Sequence, residues 1–218
     1  MDVILTAGGT PAENELLYSV SKGLPKALIP IGGKTMIQWV LDALAAADSI
    51  NRVVMIGLPE PYKVEYPREI VRIDDQGSMV DNIIAGSEQV RAFPNPSQYA
   101  LVVASDIPAV TTQAIEWICD ETYRAEKDLI YPVIRQETME ETFPGARRSY
   151  LPLRDMRVCG GDVIPIKVGI SDYGNPLWRK LVATRKNALK QAALFGLDTL
   201  ALILLRALTL KQTEERIC

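Results

Sequence analysis

Histidine is absent from this chain of 218 residues. A triad of the Ser-His-Asp kind, a Cys-His pair and a histidine metal site are therefore excluded. The three cysteines, Cys119, Cys159 and Cys218, lack the spacing of metal ligands. This cysteine content predicts a reducing compartment and no disulfide framework.

The chain also lacks an excess of positive charge and a long hydrophobic run. Its net charge of −3 argues against nucleic acid as a partner, although a single nucleotide needs only a few local donors. The most hydrophobic stretch, residues 197–210, contains Asp198 and Arg206 and is too short to span a bilayer. We interpret it as a helix that is buried in the protein or in a homodimer. No signal peptide and no membrane partner are expected, which predicts a cytoplasmic protein.

The order of strand-like and helical runs predicts the fold. The length fits a single domain over residues 1–218, with residues 136–158 as a small inserted lobe that interrupts the alternation. The alternation of strands and helices is typical of an α/β fold with a Rossmann-like doubly wound, mostly parallel sheet. The predicted strands are 2–6, 52–57, 70–73, 99–104, 128–133 and 163–168, and the predicted helices between them are 36–47, 79–91 and 111–124.

Two residue pairs, Thr35 with Gln38 and Thr209 with Gln212, have the spacing of a helix capping box. The second pair predicts a last helix, preceded by largely helical segments at 176–194 and 199–208. That last helix reaches residue 218 without a glycine, a proline or a cap. We therefore expect that the polypeptide is truncated after residue 218.

The first strand ends directly in Ala7-Gly8-Gly9, and Lys26 follows a proline at the end of the next loop. Glycines after a strand allow backbone N–H groups to converge on an anion, because no Cβ blocks the approach. A lysine that returns to such a turn adds a point charge suited to a phosphate. The pattern predicts a phosphate-binding loop at the carboxyl end of a strand, where open α/β sheets bind ligands.

An aspartate, Asp106, stands at the end of the predicted strand 99–104, in the sequence Ser105-Asp106-Ile107-Pro108. Mg²⁺ takes one or two carboxylates and completes its shell with water and phosphate oxygens, so this position suits it. The alternative is that Asp106 only caps the turn that leads to Thr111.

These motifs together resemble the MobA-like NTP transferase family, the nucleotidyltransferases of the molybdenum-cofactor guanylyl- and cytidylyltransferase type. The resemblance extends more loosely to sugar-phosphate nucleotidyltransferases, and it implies a fold like that of nucleotide-diphospho-sugar transferases. It rests on the segments at 5–9, 25–28 and 105–108, and on residues 31–37, where Thr35 replaces the proline of the family's Gly-Lys-Pro-Met turn. It covers the chain well up to about residue 110 and the remainder in outline.

The resemblance implies a reaction. A Mg²⁺-dependent nucleotidyltransferase would transfer NMP from an NTP to a phosphorylated small-molecule acceptor and release pyrophosphate. The backbone amides of Ala7, Gly8 and Gly9 would bind the triphosphate, Lys26 would neutralise charge at the reacting phosphates, and Asp106 would hold the metal. An acceptor phosphate is already ionised at neutral pH, so positioning and charge neutralisation carry this chemistry without histidine.

Further positions carry expectations on the same basis. Gly77, Ser78 and Asn82 are expected near the nucleobase, with a plain turn and helix cap as the alternative. Asp162 follows two glycines where related enzymes often have Gly-Gly-Asn, and it is expected either to bind the metal or to shape a turn. The lobe, on the acceptor side, contributes arginines that would bind the acceptor's phosphate, unless they only form a solvated face; they are Arg135, Arg147, Arg148, Arg154 and Arg157.

Two departures from the family pattern leave an alternative function open. Glu13 and Glu15 lie in the loop where many members carry an arginine, and a second metal ligand near the C-terminus would be missing from a truncated chain. The alternative is a non-catalytic nucleotide-binding or regulatory module of the same fold. A dinucleotide-binding domain is disfavoured because Gly-x-Gly-x-x-Gly is absent, and a P-loop NTPase because Gly-x-x-x-x-Gly-Lys-Ser/Thr is absent.

Overall fold

The computed structural model describes residues 1–146, 148–170, 180, 190, 193–194, 201–202 and 205–217. The strands are β1 (Asp2–Thr6), β2 (Pro30–Ile31), β3 (Lys34–Thr35), β4 (Val53–Ile56), β5 (Ile70–Ile73), β6 (Tyr99–Ala104), β7 (Val133–Arg135), β8 (Leu151–Pro152), β9 (Arg157–Gly160) and β10 (Val163–Lys167). The helices are α1 (Tyr18–Ser21), α2 (Met36–Ala45), α3 (Met79–Arg91), α4 (Thr112–Ala125), α5 (Gln136–Thr142) and α6 (Leu210–Ile217), with a short 3-10 helix at Lys26–Leu28.

The central sheet has five strands in the order β10-β6-β1-β4-β5. β1 pairs in parallel with β4 and with β6, and β5 continues the parallel arrangement beside β4. β10 runs antiparallel to β6 at the edge. The predicted α/β fold with a mostly parallel sheet is therefore confirmed.

Helices cover both faces of this sheet. Successive side chains of a strand point to opposite faces, so one strand contacts the helices on both sides. On one face, Val3 and Leu5 belong to a buried cluster with α2 and α4, to which Leu41 and Ile115 contribute. On the other face, Ile4 contacts α3 at Gly86. A strand buried on both sides reads as a continuous apolar run, which is why β1, β4 and β6 were recognisable in the sequence.

The chain divides into two compact units, Met1–Ile130 with Asp162–Tyr173, and Tyr131–Gly161 with Gly174–Cys218. The first unit contains the five-stranded sheet. The second contains an antiparallel sheet in the order β7-β9-β8, together with α5. The predicted inserted lobe, residues 136–158, belongs entirely to this second unit.

Two predictions in the first half of the chain are wrong in detail. Thr35 precedes α2 but makes no side-chain cap, because Gln38 bonds Asp42 and the backbone of Glu65 instead. The same helix ends at Ala45 rather than at residue 47.

The predicted strand at 128–133 is also wrong in extent. Leu129 makes only an isolated bridge to Ile166 in the central sheet, and the next strand, β7, begins at Val133 in the other sheet. A largely apolar segment thus contributes to two different sheets, which strand propensity does not reveal.

The capping box before α6 is confirmed. The backbone N–H of Thr209 donates to Gln212 Oε1 (3.0 Å), and the N–H of Gln212 donates to Thr209 Oγ1 (3.2 Å). The predicted helix at 176–194 lies largely outside the described residues, and so does much of 197–210. Residues 205–208 are not helical. In the part of the chain that the structure describes, no helix is both long and apolar enough to cross a membrane.

Cys119 and Cys159 are free and buried. Burial raises the pKa of the Cys119 thiol to about 11. This cysteine therefore stays protonated at neutral pH and packs as a small apolar side chain.

A buried ion pair stabilises the amino edge of the central sheet. The Asp2 side chain is fully buried, while that of Arg52 is 27% exposed. Arg52 Nε and Nη2 donate to the two carboxylate oxygens at 2.9 and 3.0 Å, and the N–H of Ser97 donates to Oδ2. The guanidinium also stacks on the Phe93 ring, 4.1 Å from its centroid.

We expect Arg52→Met to lower the free energy of unfolding by about 3 kcal/mol, because the buried carboxylate of Asp2 would lose its counter-charge. The matched control is Arg124→Met, which breaks the exposed pair with Glu121 and should cost no more than about 1 kcal/mol. Urea denaturation measures both variants. Equal losses in the two would contradict the importance of the buried pair.

Gly86 allows α3 to lie directly on the sheet. A Cβ at this position would be 2.5 Å from Ile4 Cγ2 and 2.9 Å from Ile56 Cδ1. Alanine normally favours a helix over glycine by about 1 kcal/mol, so the contact works against the usual propensity.

Gly86→Ala should therefore destabilise the protein by about 1–3 kcal/mol through overpacking, despite the gain in helix propensity. Glu88→Ala, an exposed position on the same helix, serves as the control and should change stability little. A Gly86→Ala variant that unfolds at a higher urea concentration than the wild type would show that the helix simply shifts outwards.

Candidate functional site

The carboxyl ends of the parallel strands lie side by side at one edge of the central sheet. The N–H of Ala7 donates to Ile56 O (2.8 Å), and the N–H of Ser105 donates to Thr6 O (3.1 Å). The N–H of Gly57 donates to Ile73 O (2.9 Å). The turns that follow β1, β4, β5 and β6 therefore begin next to one another.

Two glycines allow the turns after β1 and β4 to touch. A Cβ on Gly57 would lie 2.8 Å from Gly8 Cα and 2.9 Å from Gly8 N, and the φ of Gly57 is +85°. The reverse contact, from a Cβ on Gly8 to Gly57 Cα, would be 3.2 Å. Gly57 was not among the predicted site residues, although a glycine at the end of the predicted strand 52–57 was a usable signal.

The next glycine is open. Gly9 is exposed, and a Cβ built on it meets no atom within 4 Å. Because Ala7 uses its N–H inside the sheet, the amides of the predicted phosphate loop that remain for an anion are those of Gly8 and Gly9. Such a pair of backbone donors in a concave turn suits a phosphate.

Lys26 is brought back to this turn by its backbone. The N–H of Lys26 donates to Gly9 O at 2.8 Å, and the 3-10 helix Lys26–Leu28 begins there. Its side chain is half-buried. A cationic residue is thus fixed beside the open glycine.

The acidic loop between Gly9 and Lys26 has hydrogen bonds within itself. Glu15 Oε2 accepts from the N–H of Ala12 (3.3 Å), and the N–H of Glu15 donates to Ala12 O (2.9 Å). One of the two acids that depart from the family pattern is therefore engaged with its own loop. Glu13 is exposed.

Asp106 and Asp162 lie at the same edge of the sheet, just after β6 and directly before β10. Asp106 is exposed in the turn after β6, and Ser105 before it is buried. β10 is antiparallel to β6, so its amino end adjoins the carboxyl end of β6, and Asp162 O accepts from the N–H of Ala104 (3.2 Å).

Two carboxylates fit the demand of Mg²⁺, which takes its other ligands from water and substrate phosphates. Within the described residues, no group of three or more acidic or cysteine side chains is placed to hold a metal by protein ligands alone. The exposed Asp106 and Asp162 are residues at this edge that could supply carboxylate oxygens to such a cation.

The loop between β5 and α3 lies beside the glycine turn. Gly77 has a φ of +84°, and a Cβ on it meets no atom within 4 Å. Ser78 caps α3, since its Oγ accepts from the N–H of Asp81 (3.1 Å). Asn82 is buried, and its side-chain amide is bonded to Asp75 and Gln76.

The second unit contains the arginines that were expected to meet an acceptor. Arg148 Nη2 donates to Gly160 O at 2.8 Å, and the Arg157 guanidinium lies 5.8 Å from the centroid of the Tyr150 ring. Arg135 and Arg154 are exposed, and Arg147 lies outside the described residues.

Tyr131 is a residue of this unit that sequence reasoning missed. A Cβ on Gly160 would be 2.2 Å from the Tyr131 hydroxyl oxygen, so only glycine fits under the phenol. No sequence pattern linked a tyrosine before β7 to a glycine at the end of β9.

Comparison with known proteins assigns the family. Residues 4–203 match the family described as MobA-like NTP transferase domain. No curated protein matches the chain. A structure described as a hypothetical transferase from Thermus thermophilus is similar with a TM-score of 0.80 and 30% identity, over 99% of this chain and 86% of that one.

Two more distant structures share the fold. One is described as CMP:2-keto-3-deoxy-manno-octonic acid synthetase complexed with CTP (TM-score 0.56, 14% identity, 94% of this chain and 86% of that one). The other is described as 4-diphosphocytidyl-2C-methyl-D-erythritol synthase from Anaerococcus prevotii (TM-score 0.51, 12% identity, 89% and 80%). The family match covers most of the chain and agrees with the sheet and its glycine turn, so this protein belongs to the MobA-like NTP transferase family and is a nucleotidyltransferase.

Proposed function

We propose that this nucleotidyltransferase transfers NMP from an NTP to a phosphorylated small-molecule acceptor, with Mg²⁺, and releases pyrophosphate. The observation that carries the proposal is that an open glycine turn with Lys26 bonded to it by its backbone, and the exposed residues Asp106 and Asp162, lie at one edge of the central sheet. Donors for phosphate oxygens and ligands for a hard cation are what phosphoryl chemistry needs in one place.

The triphosphate would lie against the glycine turn. The N–H groups of Gly8 and Gly9 would donate to phosphate oxygens, and the Lys26 ammonium would neutralise charge at the reacting phosphates. When bound, Mg²⁺ supplies further charge neutralisation on the triphosphate, and Asp106 with Asp162 would hold it.

The reaction is an in-line displacement. An oxygen of the acceptor phosphate forms a bond to the α-phosphorus, and the bond from that phosphorus to the bridging oxygen of the pyrophosphate breaks. The electron pair leaves with pyrophosphate. The acceptor oxygen is already ionised, so no general base is required, in keeping with a chain that has no histidine.

The other residues have more limited roles in this proposal. Gly77 and the backbone of Ser78 would border the nucleobase, since the Ser78 hydroxyl is used in capping α3. Of the arginines of the second unit, Arg148 is the one we propose for the acceptor's phosphate, because its guanidinium is held in place by Gly160 O and a fork of donors suits phosphate.

We expect pyrophosphate release with one of the four common NTPs, Mg²⁺ and an acceptor from a panel of sugar phosphates, polyol phosphates, molybdopterin and cobinamide phosphate. Lys26→Gln and Asp106→Asn should each lower kcat/KM by about a hundredfold or more, because each removes a charge that the transition state needs. Coupled phosphate detection after pyrophosphatase treatment measures the rate.

The matched controls are Lys127→Gln and Asp120→Asn, exposed residues at the end of α4 and on its surface. Both should retain the wild-type rate. NTP binding without release across the panel would instead favour the non-catalytic, regulatory function, and full activity in the Lys26 and Asp106 variants would contradict their roles.

Because there is open space around Gly9, a substitution there can change NTP binding without changing the stability of the protein. Gly9→Ala should leave the free energy of unfolding within about 0.5 kcal/mol of the wild type. It should weaken NTP binding about tenfold, because the added methyl group projects from the turn where the phosphates would approach. Calorimetric titration and urea denaturation give the two quantities.

Gly57→Ala is the comparison, since its Cβ meets the Gly8 backbone and it should lose both stability and binding. If Gly9→Ala binds NTP as well as the wild type does, the phosphates do not lie on this turn.

A further inference from the structure

Asn82 is a buried polar side chain one turn into α3, and both halves of its amide are bonded to the loop before that helix. Its Nδ2 donates to Asp75 Oδ1 at 2.7 Å. Its Oδ1 accepts from the backbone N–H of Gln76, also at 2.7 Å. The side chain at position 82 must donate to the Asp75 carboxylate and accept from the N–H of Gln76, and the asparagine amide does both.

The carboxylate that Asn82 holds lies against the glycine turn. A Cβ on Gly8 would be 3.5 Å from Asp75 Oδ1, and a Cβ on Gly57 would be 3.6 Å from Asp75 Cβ. Asp75 is thus packed beside the point where the turns after β1 and β4 touch. The same Oδ1 accepts the hydrogen bond from the Asn82 amide.

The loop that carries Asp75 is otherwise exposed. Residues 74–78 are all exposed, and Gly77 adopts a left-handed φ of +84°. Such a loop can occupy many conformations in the free protein, and ordering it on binding would reduce affinity. Two hydrogen bonds from one buried side chain remove much of that freedom before the nucleotide arrives.

We propose that Asn82 is a positioning residue that locks the base-side loop against the phosphate-side glycine turn and does not itself contact the nucleotide. This inference rests on the proposed function, because it assigns the two loops to the two parts of one NTP. It replaces the expectation that the Asn82 amide meets the nucleobase, since that amide already bonds Asp75 and Gln76.

The test exchanges donor and acceptor between two residues. Asn82→Asp keeps the acceptor for the N–H of Gln76 but places a second carboxylate against Asp75. In the double variant with Asp75→Asn, the new amide at 75 donates to the carboxylate at 82, so the hydrogen bond returns with its polarity reversed. The full chain is titrated calorimetrically with ATP, CTP, GTP and UTP in MgCl₂, and the tightest of them is the probe.

Asn82→Asp should raise the Kd of that NTP about tenfold to a hundredfold in the wild-type background. In the Asp75→Asn background the same change should raise it less than about threefold, because the pair is restored. Asn82→Leu, which has the size of asparagine without donor or acceptor, should weaken binding in both backgrounds. Urea denaturation of every variant separates the loss of affinity from a loss of stability.

Equal losses from Asn82→Asp in the two backgrounds would overturn the proposal, as would an Asn82→Leu variant that binds like the wild type. If Asn82→Asp does not fold, the double variant still decides, because it must fold and bind like Asp75→Asn alone. A wild-type chain that binds none of the four NTPs would refute the proposed function, and the inference would fall with it.

Discussion

The contact between Gly8 and Gly57 is the constraint on which the site depends. Two neighbouring parallel strands end with their backbones touching, and any side chain at Gly57 would push into Gly8. Because no side chain separates them, the turn after β1 contacts the turn after β4 directly. The next residue, Gly9, has no atom within 4 Å of the position of a Cβ. The Lys26 backbone is bonded to Gly9 O. The Asp75 side chain lies beside both glycines, with its Oδ1 near Gly8 and its Cβ near Gly57, so three loops are positioned around this contact.

The charges of the site are few and local. The chain as a whole is acidic, with a net charge of −3, yet the turn after β1 contains the amides of Gly8 and Gly9, and a backbone hydrogen bond holds Lys26 beside it. The two aspartates flank neighbouring strands, since Asp106 follows β6 and Asp162 directly precedes β10. In the proposed function they hold the cation. The proposed displacement by an ionised phosphate would depend on these donors and carboxylates and would not require a proton carrier.

Sequence patterns predicted most elements of the first unit because these strands are buried on both faces and their helices begin at recognisable caps. Ser78 and Thr111 each precede a helix and accept a hydrogen bond from a backbone N–H in its first turn. The wrong predictions concern residues that have partners on distant parts of the chain. Gln38 bonds Asp42 and the Glu65 backbone instead of capping α2, and the apolar run near Leu129 divides between two sheets.

The sequence by itself determined the alternation of strands and helices, the glycine turn, the lysine and Asp106, because each is a local pattern with a local physical cause. Only the tertiary structure decided that Gly57 contacts Gly8 and that the Ala7 N–H donates to Ile56 in β4. The same holds for the hydrogen bond from Asn82 to Asp75 and for the contact of Tyr131 with Gly160. Each of these contacts joins residues on different elements. The distances between such residues are set by strand order and packing, which no spacing along the chain records.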